Sequence, residues 1–299
     1  MNARTEKEGR WDGRTGAELP EEIFGREIAK TAQRLILGRE LRFDPTLSRL
    51  DRIYISLLGG PPTGLGIRTR HLFRALAGSG IRWSEVRRVL DAGCGRGLTC
   101  YLLAAILPHA EVVGIDSDGE RIRANTSIAA ALGLRNCRFL NIHLSREDPP
   151  PEKDFDLIVS CDCIEHVTDD LGLLTVFAQS LSDSGRLFLH TPSTFRHPLW
   201  GRRRLNFDIE GHVRVGYERE ELKEKLRRAG FRCVRVTGSF GVLETLANEW
   251  EYTVTKARGR NKVLFGFLYP FLNVLCWAGK NASPRYGSAW IVEARKAGL

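Results

Sequence analysis

The sequence predicts an α/β fold: a mostly parallel, seven-stranded sheet with helices on both faces, a helical extension before it and a helical insert before its last strand. Three observations predict this fold. The chain has 299 residues, of which 42% are apolar, enough for a sizeable core. From residue 88 onward, short apolar runs alternate with amphipathic stretches, as in β-α-β units. The first of these runs leads into three alternating glycines.

The first 80 residues precede the alternating pattern. Residues 1–20 are polar and predict a tail, whereas apolar residues recur at helical spacing over 21–58, which predicts two or three helices. The glycine-rich stretch 59–66 predicts a loop, and 68–77 predicts a further helix. We therefore divide the chain into a tail with a helical cap over 1–80 and an α/β domain over 81–299.

The alternating region supplies the strands and helices of this domain. Strands are predicted at 88–92, 111–116, 137–142, 155–161, 185–191, 231–237 and 289–294. Helices are predicted near 98–107, 119–132, 169–182 and 218–229. The last of these helices ends at Gly230, which suits a left-handed C-cap. Residues 240–286 are an apolar insert before the last strand, and we expect them to form a cap.

Charge is unevenly distributed along the chain. The formal net charge is +9, yet residues 101–200 are net −6, and 51–100 with 201–299 are together net +14. A solvated basic surface and an anionic partner are both compatible with this pattern. The seven cysteines are odd in number and form no Cys-x-x-Cys pair, so neither a zinc site nor a disulfide framework is indicated. With a charged N-terminal stretch as well, a cytoplasmic protein is expected.

A glycine-rich turn follows the first predicted strand. Gly93, Gly95 and Gly97 stand at the carboxyl end of a buried strand, where open α/β sheets bind ligands. Asp91 precedes the turn and would repel a pyrophosphate but attract an ammonium or sulfonium group. Asp116 ends the second strand, where a carboxylate can accept hydrogen bonds from both hydroxyls of a ribose. A turn without a ligand would leave the two acids unexplained. Together they predict a nucleoside with a cationic amino-acid tail, namely S-adenosylmethionine.

These motifs resemble those of the class I S-adenosylmethionine-dependent methyltransferases over residues 88–240. The resemblance implies a Rossmann-like sheet, methyltransferase activity and S-adenosyl-L-methionine as cofactor. Residues 211–230 are also similar to the branch that includes the ubiquinone-biosynthesis methyltransferases. Asn141 stands where the family usually has an aspartate beside the adenine. The resemblance implies a cofactor site made of Asp91, Gly93, Cys94, Gly95, Gly97, Asp116, Ser117, Asn141 and Cys161.

Candidate catalytic residues follow the fourth predicted strand. Methyl transfer requires alignment and, for a hydroxyl acceptor, a group that takes its proton. Histidine titrates near neutral pH, so His166, beside Glu165, is the predicted base; a helix-capping role is the alternative. Asp162, Glu165 and His166 also resemble the metal-site spacing of small-RNA 2′-O-methyltransferases. His212 or His190 would complete such a site, and a metal-free cluster is the alternative.

The acceptor follows less directly from the residues. The resemblance to the ubiquinone-biosynthesis branch implies a small-molecule or lipid-like acceptor, methylated at oxygen or carbon, and the apolar insert favours a lipid-like one. RNA methylation by the basic flanks and a non-catalytic binding module are the two alternatives. The longest apolar run, residues 263–278, is shorter than the ~20 residues of a membrane-spanning helix, and basic residues bracket it. A buried cap helix and an interfacial element at the inner face of a membrane are both compatible with this run.

Overall fold

A computed structural model of the chain describes residues 43–44, 49, 53, 63–196, 204–206, 211–256, 262–279 and 287–297. The predicted tail over 1–20 lies outside these residues, as do nearly all positions of the helices predicted over 21–58. The following bounds refer to the described part of the chain.

Helices and strands alternate through the domain as the sequence predicts. The helices are α1 Thr63–Ala77, α2 Leu98–Ile106, α3 Gly119–Ala131, α4 Asp170–Ser180, α5 Arg219–Arg228, α6 Val242–Lys256 and α7 Lys262–Gly279. The strands are β1 Arg88–Ala92, β2 Glu111–Asp116, β3 Cys137–Asn141, β4 Phe155–Cys161, β5 Leu181–Pro192, β6 Phe195–Arg196, β7 Arg204–Leu205, β8 Phe231–Ser239 and β9 Ala289–Lys296. Two short 3-10 turns occupy Trp83–Glu85 and Ile164–His166.

Seven of these strands form one sheet, in the order β3-β2-β1-β4-β5-β9-β8. The pairs from β3 to β5 are parallel, and β9 runs antiparallel to both β5 and β8. The predicted Rossmann-like, mostly parallel sheet is therefore confirmed. Strand order reverses between β1 and β4, so the carboxyl ends of β1, β2 and β4 border the crevice where such sheets bind ligands.

The sheet is buried on both faces because successive side chains of its central strands point to opposite sides. Val89 of β1 belongs to the core that α1, α2 and α3 cover, whereas its neighbour Leu90 belongs to the core under α4 and α5. This two-sided burial explains why the central strands are mostly apolar in the sequence and do not alternate with polar residues.

Side-chain caps fix where several helices begin. Asp118 accepts hydrogen bonds from the amides of Glu120 and Arg121 at the start of α3, and Asp169 accepts one from Gly172 in α4. Helix α5 begins with a capping box between Glu218 and Glu221. Gly230, with a φ of +93°, follows its C-cap residue, as the sequence predicts. These caps orient the helices that border the crevice.

The structure corrects the predicted loop over 59–66. Residues 63–66 are helical and begin α1, although two of them are glycines. The amide of Gly64 donates a hydrogen bond of 3.0 Å to Glu251 of α6, so a side chain distant in sequence satisfies a free donor in the first turn. Tertiary contact therefore overrides the weak helix propensity of glycine here.

The apolar insert folds into α6 and α7, which pack with α1 over the end of the sheet near β5 and β9. Glu244 of α6 is fully buried and binds three donors: the Arg70 guanidinium, the His71 ring at 2.8 Å and the Gly241 amide at 3.0 Å. An apolar cluster that includes Ile67, Phe240 and Leu272 joins the same helices. Among the described residues, no helix is both long enough and apolar enough to cross a membrane.

Candidate active site

The three glycines of the turn after β1 have different surroundings, although all three have positive φ angles. A Cβ atom at Gly93 would stand 2.5 Å from the Cys163 thiol, and one at Gly97 would stand 2.7 Å from the Tyr101 hydroxyl. A Cβ at Gly95 would meet nothing within 4 Å. Gly93 and Gly97 therefore allow close packing within the protein, whereas Gly95 borders open space that a ligand can fill.

Hydrogen bonds hold the bend in shape. The amides of Gly93 and Cys94 both donate to the carbonyl of Ile115 in β2, at 2.9 Å each. From α3, the Asn125 amide group donates to the Gly95 carbonyl at 2.9 Å and in turn accepts from the Tyr101 hydroxyl at 3.0 Å. The Cys94 side chain is buried in the core. The turn is thus preorganised by residues of β2, α2 and α3.

Asp116 lies directly beside this bend. One of its carboxylate oxygens accepts from the Gly95 amide at 2.8 Å and the other from the Asp118 amide at 2.9 Å. Asn141 is the register partner of Asp116 on β3 and donates to its carbonyl at 3.0 Å. Ser117 follows, exposed. These predicted cofactor residues therefore share one edge of the sheet.

Asp91 is buried one residue before the end of β1. The Cys100 thiol donates to its Oδ2 at 3.1 Å. Burial raises the pKa of Asp91 to about 7; the bond from Cys100 opposes this rise, and the charge of Asp116 adds to it. A cation that comes close to Asp91 would lower this pKa again, because a positive neighbour stabilises the ionised carboxylate.

The chain leaves β4 at Cys161, which is half-buried, and bends sharply at Asp162, whose φ is +49°. The Asp162 carboxylate binds the Arg68 guanidinium of α1 on one oxygen and the Nδ1 of His190 on the other. His190 Nε2 bonds the Ser239 hydroxyl at 3.1 Å. Burial works against the charge of Asp162, but Arg68 and His190 hold the pKa of this carboxyl well below its usual range.

The next turn brings together the predicted catalytic residues. Glu165, His166 and His212 each place a side-chain ligand atom within 4.8 Å of the other two. The His166 and His212 rings meet edge to face, with centroids 4.4 Å apart. The two carboxylate oxygens of Asp162 bind Arg68 and His190, so this side chain does not join the group. The structure therefore groups three of the four residues predicted for a metal site, and the fourth belongs to a separate ion-pair network.

Glu165 and His166 differ in their surroundings. Glu165 is fully buried and accepts a bond of 3.0 Å from the Thr191 hydroxyl on Oε2, while its Oε1 has no hydrogen-bond partner among the described residues. Burial, with the charge of Asp162, raises the pKa of Glu165 well above its usual range. His166 is exposed, and its Nδ1 lies 2.9 Å from the carbonyl of Gly211.

The structure places several residues at this edge that the sequence does not predict as site residues. Arg68 binds a carboxylate 94 positions later, a pairing that no local pattern reveals. Thr191 ends a predicted strand and Ser239 lies two residues beyond another, and the sequence predicts no role for either. Asn125 did leave a signal: it is a buried amide in the middle of a helix, where an apolar side chain would suit the core better.

Comparison with known proteins identifies the family. A family model described as a methyltransferase domain matches residues 67–236, which is more than half of the chain. The chain belongs to the class I S-adenosylmethionine-dependent methyltransferases. The predicted family and cofactor are therefore confirmed.

Relatives of this methyltransferase include enzymes with different acceptors. A ribosomal RNA small subunit methyltransferase G of Salinibacter ruber is 43% identical over 77 residues, which are 26% of this chain and 36% of that protein. A ubiquinone biosynthesis O-methyltransferase of Sinorhizobium medicae is 28% identical over 177 residues, 56% of this chain and 67% of that protein. The first match thus spans about a third of that relative's length.

A solved structure shares the fold of this methyltransferase. It is the O-methyltransferase of a trans-AT PKS multienzyme of Brevibacillus brevis, in complex with S-adenosyl-L-homocysteine. The TM-score is 0.52 at 17% identity, and the match covers 85% of this chain and 81% of the other. The similarity concerns the architecture that surrounds the crevice.

Proposed function

We propose that this methyltransferase transfers a methyl group to a hydroxyl oxygen of a small acceptor, with His166 as the base. The observation that carries the proposal is the bond between His166 and Gly211. Because a carbonyl oxygen can only accept, Nδ1 of His166 carries the proton in this contact. Nε2 is then left with its lone pair, which can take the proton of an acceptor hydroxyl.

The edge formed by β1, β2 and β3 would hold the cofactor. When bound, S-adenosylmethionine supplies a methyl carbon that its positive sulfur has already activated. We assign Asp91 to its cationic end, Asp116 to the ribose hydroxyls and Asn141 to the adenine side. The open space at Gly95 and the incompletely compensated charge of Asp91 both suit a cationic nucleoside.

Glu165 positions and supports the base. Burial raises its pKa and so disfavours its charged form in the resting protein. When His166 takes a proton, however, a cation appears beside the Glu165 carboxyl. The bond from Thr191 keeps this carboxyl in place, and its Oε1 can accept a hydrogen bond from the imidazolium, so Glu165 stabilises the cation without losing a proton itself.

Labelled-methyl transfer to separated small-molecule, lipid and RNA extracts tests the proposal. We expect label in the small-molecule or lipid fraction, and a loss of 10²-fold or more in turnover for His166→Ala, typical of a lost general base. Affinity for S-adenosylhomocysteine should be unchanged. His109→Ala is the matched control, since His109 is also exposed but bonds the Trp83 carbonyl elsewhere in the fold. Equal turnover in both variants would reject His166 as the base.

RNA is the second candidate acceptor. It is supported by the local identity to the ribosomal RNA enzyme and by the basic flanks of the chain. The same assay separates the two: label confined to RNA, with transfer that falls steeply as salt rises, would favour RNA and contradict the small acceptor.

A divalent cation is the second candidate role for Glu165, His166 and His212, whose ligand atoms converge. Two imidazoles and one carboxylate are a donor set that transition metals accept. Transfer that survives exhaustive chelation would leave these residues as a metal-free base and its support.

A further inference from the structure

Helix α7 buries one side and exposes the other. Its inner side places Tyr269, Leu272 and Cys276 in the interior, and the last two join the apolar cluster of α1, α6 and α7. Its outer side exposes four large apolar residues, spaced four, three and three positions apart: Phe267 (81% exposed), Phe271 (52%), Val274 (60%) and Trp277 (64%). This spacing places them in one stripe along the helix, here called the outer face of α7.

Two further exposed residues extend the apolar character of the outer face. Pro270 and Ala278 are exposed within it, and Pro270 has no amide hydrogen to satisfy. Asn273 lies at its border and donates its side-chain amide to the Tyr269 carbonyl at 3.1 Å. The one polar side chain at the border is thus bonded to the helix itself, which lowers the cost of placing it against apolar material.

The chain segment that contains α7 carries charge of one sign. Residues 252–292 contain six lysines and arginines and no aspartate or glutamate. Helix α7 itself, about 27 Å long at 1.5 Å per residue, begins at Lys262 and carries no acid. An apolar stripe on a helix within a basic segment is the pattern of helices that lie in the plane of a membrane interface. A second copy of the chain would bring six further positive charges to the contact, so an anionic surface suits this region better.

We propose that the outer face of α7 docks this methyltransferase on an anionic phospholipid bilayer, with the helix parallel to the membrane plane. The inserted side chains are Phe267, Phe271, Val274 and Trp277, and the lysines and arginines of residues 252–292 supply the positive charge that attracts the lipid headgroups. Helix α7 does not span the bilayer. The proposal concerns where the protein sits and is independent of the acceptor that it methylates.

Vesicle flotation with the full chain tests this proposal. Vesicles of phosphatidylcholine alone are compared with vesicles that contain about one-third phosphatidylglycerol. We expect binding to the anionic vesicles that weakens with salt, and binding at least ~10-fold weaker for the double variant F267S/F271S. The variant L205S is the matched control, because Leu205 is 59% exposed but lies in β7, outside the helix. Retained S-adenosylhomocysteine binding shows that each variant is folded.

Lipid contact can also be measured directly. Acyl chains brominated near the interface should quench tryptophan fluorescence of the native chain, and W277F should lose part of this quenching while it still binds vesicles. Absence of binding to anionic vesicles, or equal binding of F267S/F271S and L205S, overturns the proposal. Sedimentation in which the native chain dimerises and F267S/F271S does not, without vesicle binding by either, overturns it in favour of a second copy.

Discussion

At the scale of single residues, the glycine turn shows that one motif serves two purposes. Gly93 makes room for Cys163 of the loop after β4, and so brings the turn against the loop that carries Glu165 and His166. Gly95 instead faces open space. The sequence predicts glycine at both positions for the same reason, close approach to a ligand. Only the structure shows that the close contact at Gly93 is with the protein itself, whereas Gly95 borders open space.

This difference predicts unequal stability losses. Gly93→Ala combines a strained φ with a clash against Cys163 and should lower the free energy of unfolding by about 3 kcal/mol. Gly95→Ala should lower the free energy of unfolding by about 1–2 kcal/mol, because only the left-handed backbone conformation is unfavourable for alanine there. Urea unfolding of the two variants and the native chain measures both values. Equal losses would show that Cys163 does not press on the turn.

Asp91 predicts a pH-dependent affinity for the cofactor. Its raised pKa of about 7 means that much of this carboxyl is protonated below neutrality. A bound cation favours the ionised form, so binding releases a proton at low pH, and affinity rises with pH until it levels off above about 7. Calorimetry of S-adenosylmethionine in buffers of different ionisation enthalpy measures the proton release.

Asp91→Asn is the control for this pH dependence. The amide does not titrate, so its affinity should be lower and level across the same range. A native affinity that falls as pH rises would contradict the assignment of Asp91 to the cationic end of the cofactor.

At the scale of helices and strands, the sequence predicts best what is locally encoded. Strands β1, β2 and β4 match their predicted bounds because each is a mostly apolar run buried on both faces. The start of α1 was predicted wrongly because Glu251, far along the chain, supports it. Strand β5 begins at Leu181, earlier than predicted, since polar residues 182–184 extend the strand beyond its apolar run.

The pairing of α1 with the loop after β4 also depends on distant residues, and it has a measurable effect. Arg68→Met keeps the aliphatic stem but removes the cation that binds Asp162. Because the pair is partly buried, we expect a loss of about 2 kcal/mol, between the values for exposed and buried pairs. Arg82→Met, which removes an exposed pair with Glu85, should cost below ~0.5 kcal/mol.

The same variant has a predicted pH dependence. Arg68 helps to hold the pKa of Asp162 below its unfolded value of about 4, so the stability that it adds is present above pH ~4 and is lost as pH falls below it. The difference between native chain and Arg68→Met should therefore be largest near neutrality and should shrink in acid. A difference that does not change with pH would mean that Arg68 acts through packing alone.

At the scale of the whole molecule, the topology explains why the candidate site could be predicted. Parallel strands end at one edge, so Asp91, Asp116 and Asn141 had to lie near each other once the strand order was known. The sequence did not reveal the separation of Asp162 from Glu165, because a sharp turn at positive φ directs their side chains to different partners. We propose two functions for this edge: Asp91 and Asp116 would bind a cationic cofactor, and Glu165 would support a neutral base.

Calorimetric titration of S-adenosylhomocysteine into the native chain, Gly95→Val and Asp116→Ala tests most directly whether this edge of the sheet binds the cofactor. We predict one site per native chain and no detectable heat for Gly95→Val, because its branched side chain fills the open space. Affinity should be at least ~10-fold weaker for Asp116→Ala, which removes the carboxylate that we assign to the ribose hydroxyls. Native affinity in both folded variants would place the cofactor elsewhere in the molecule.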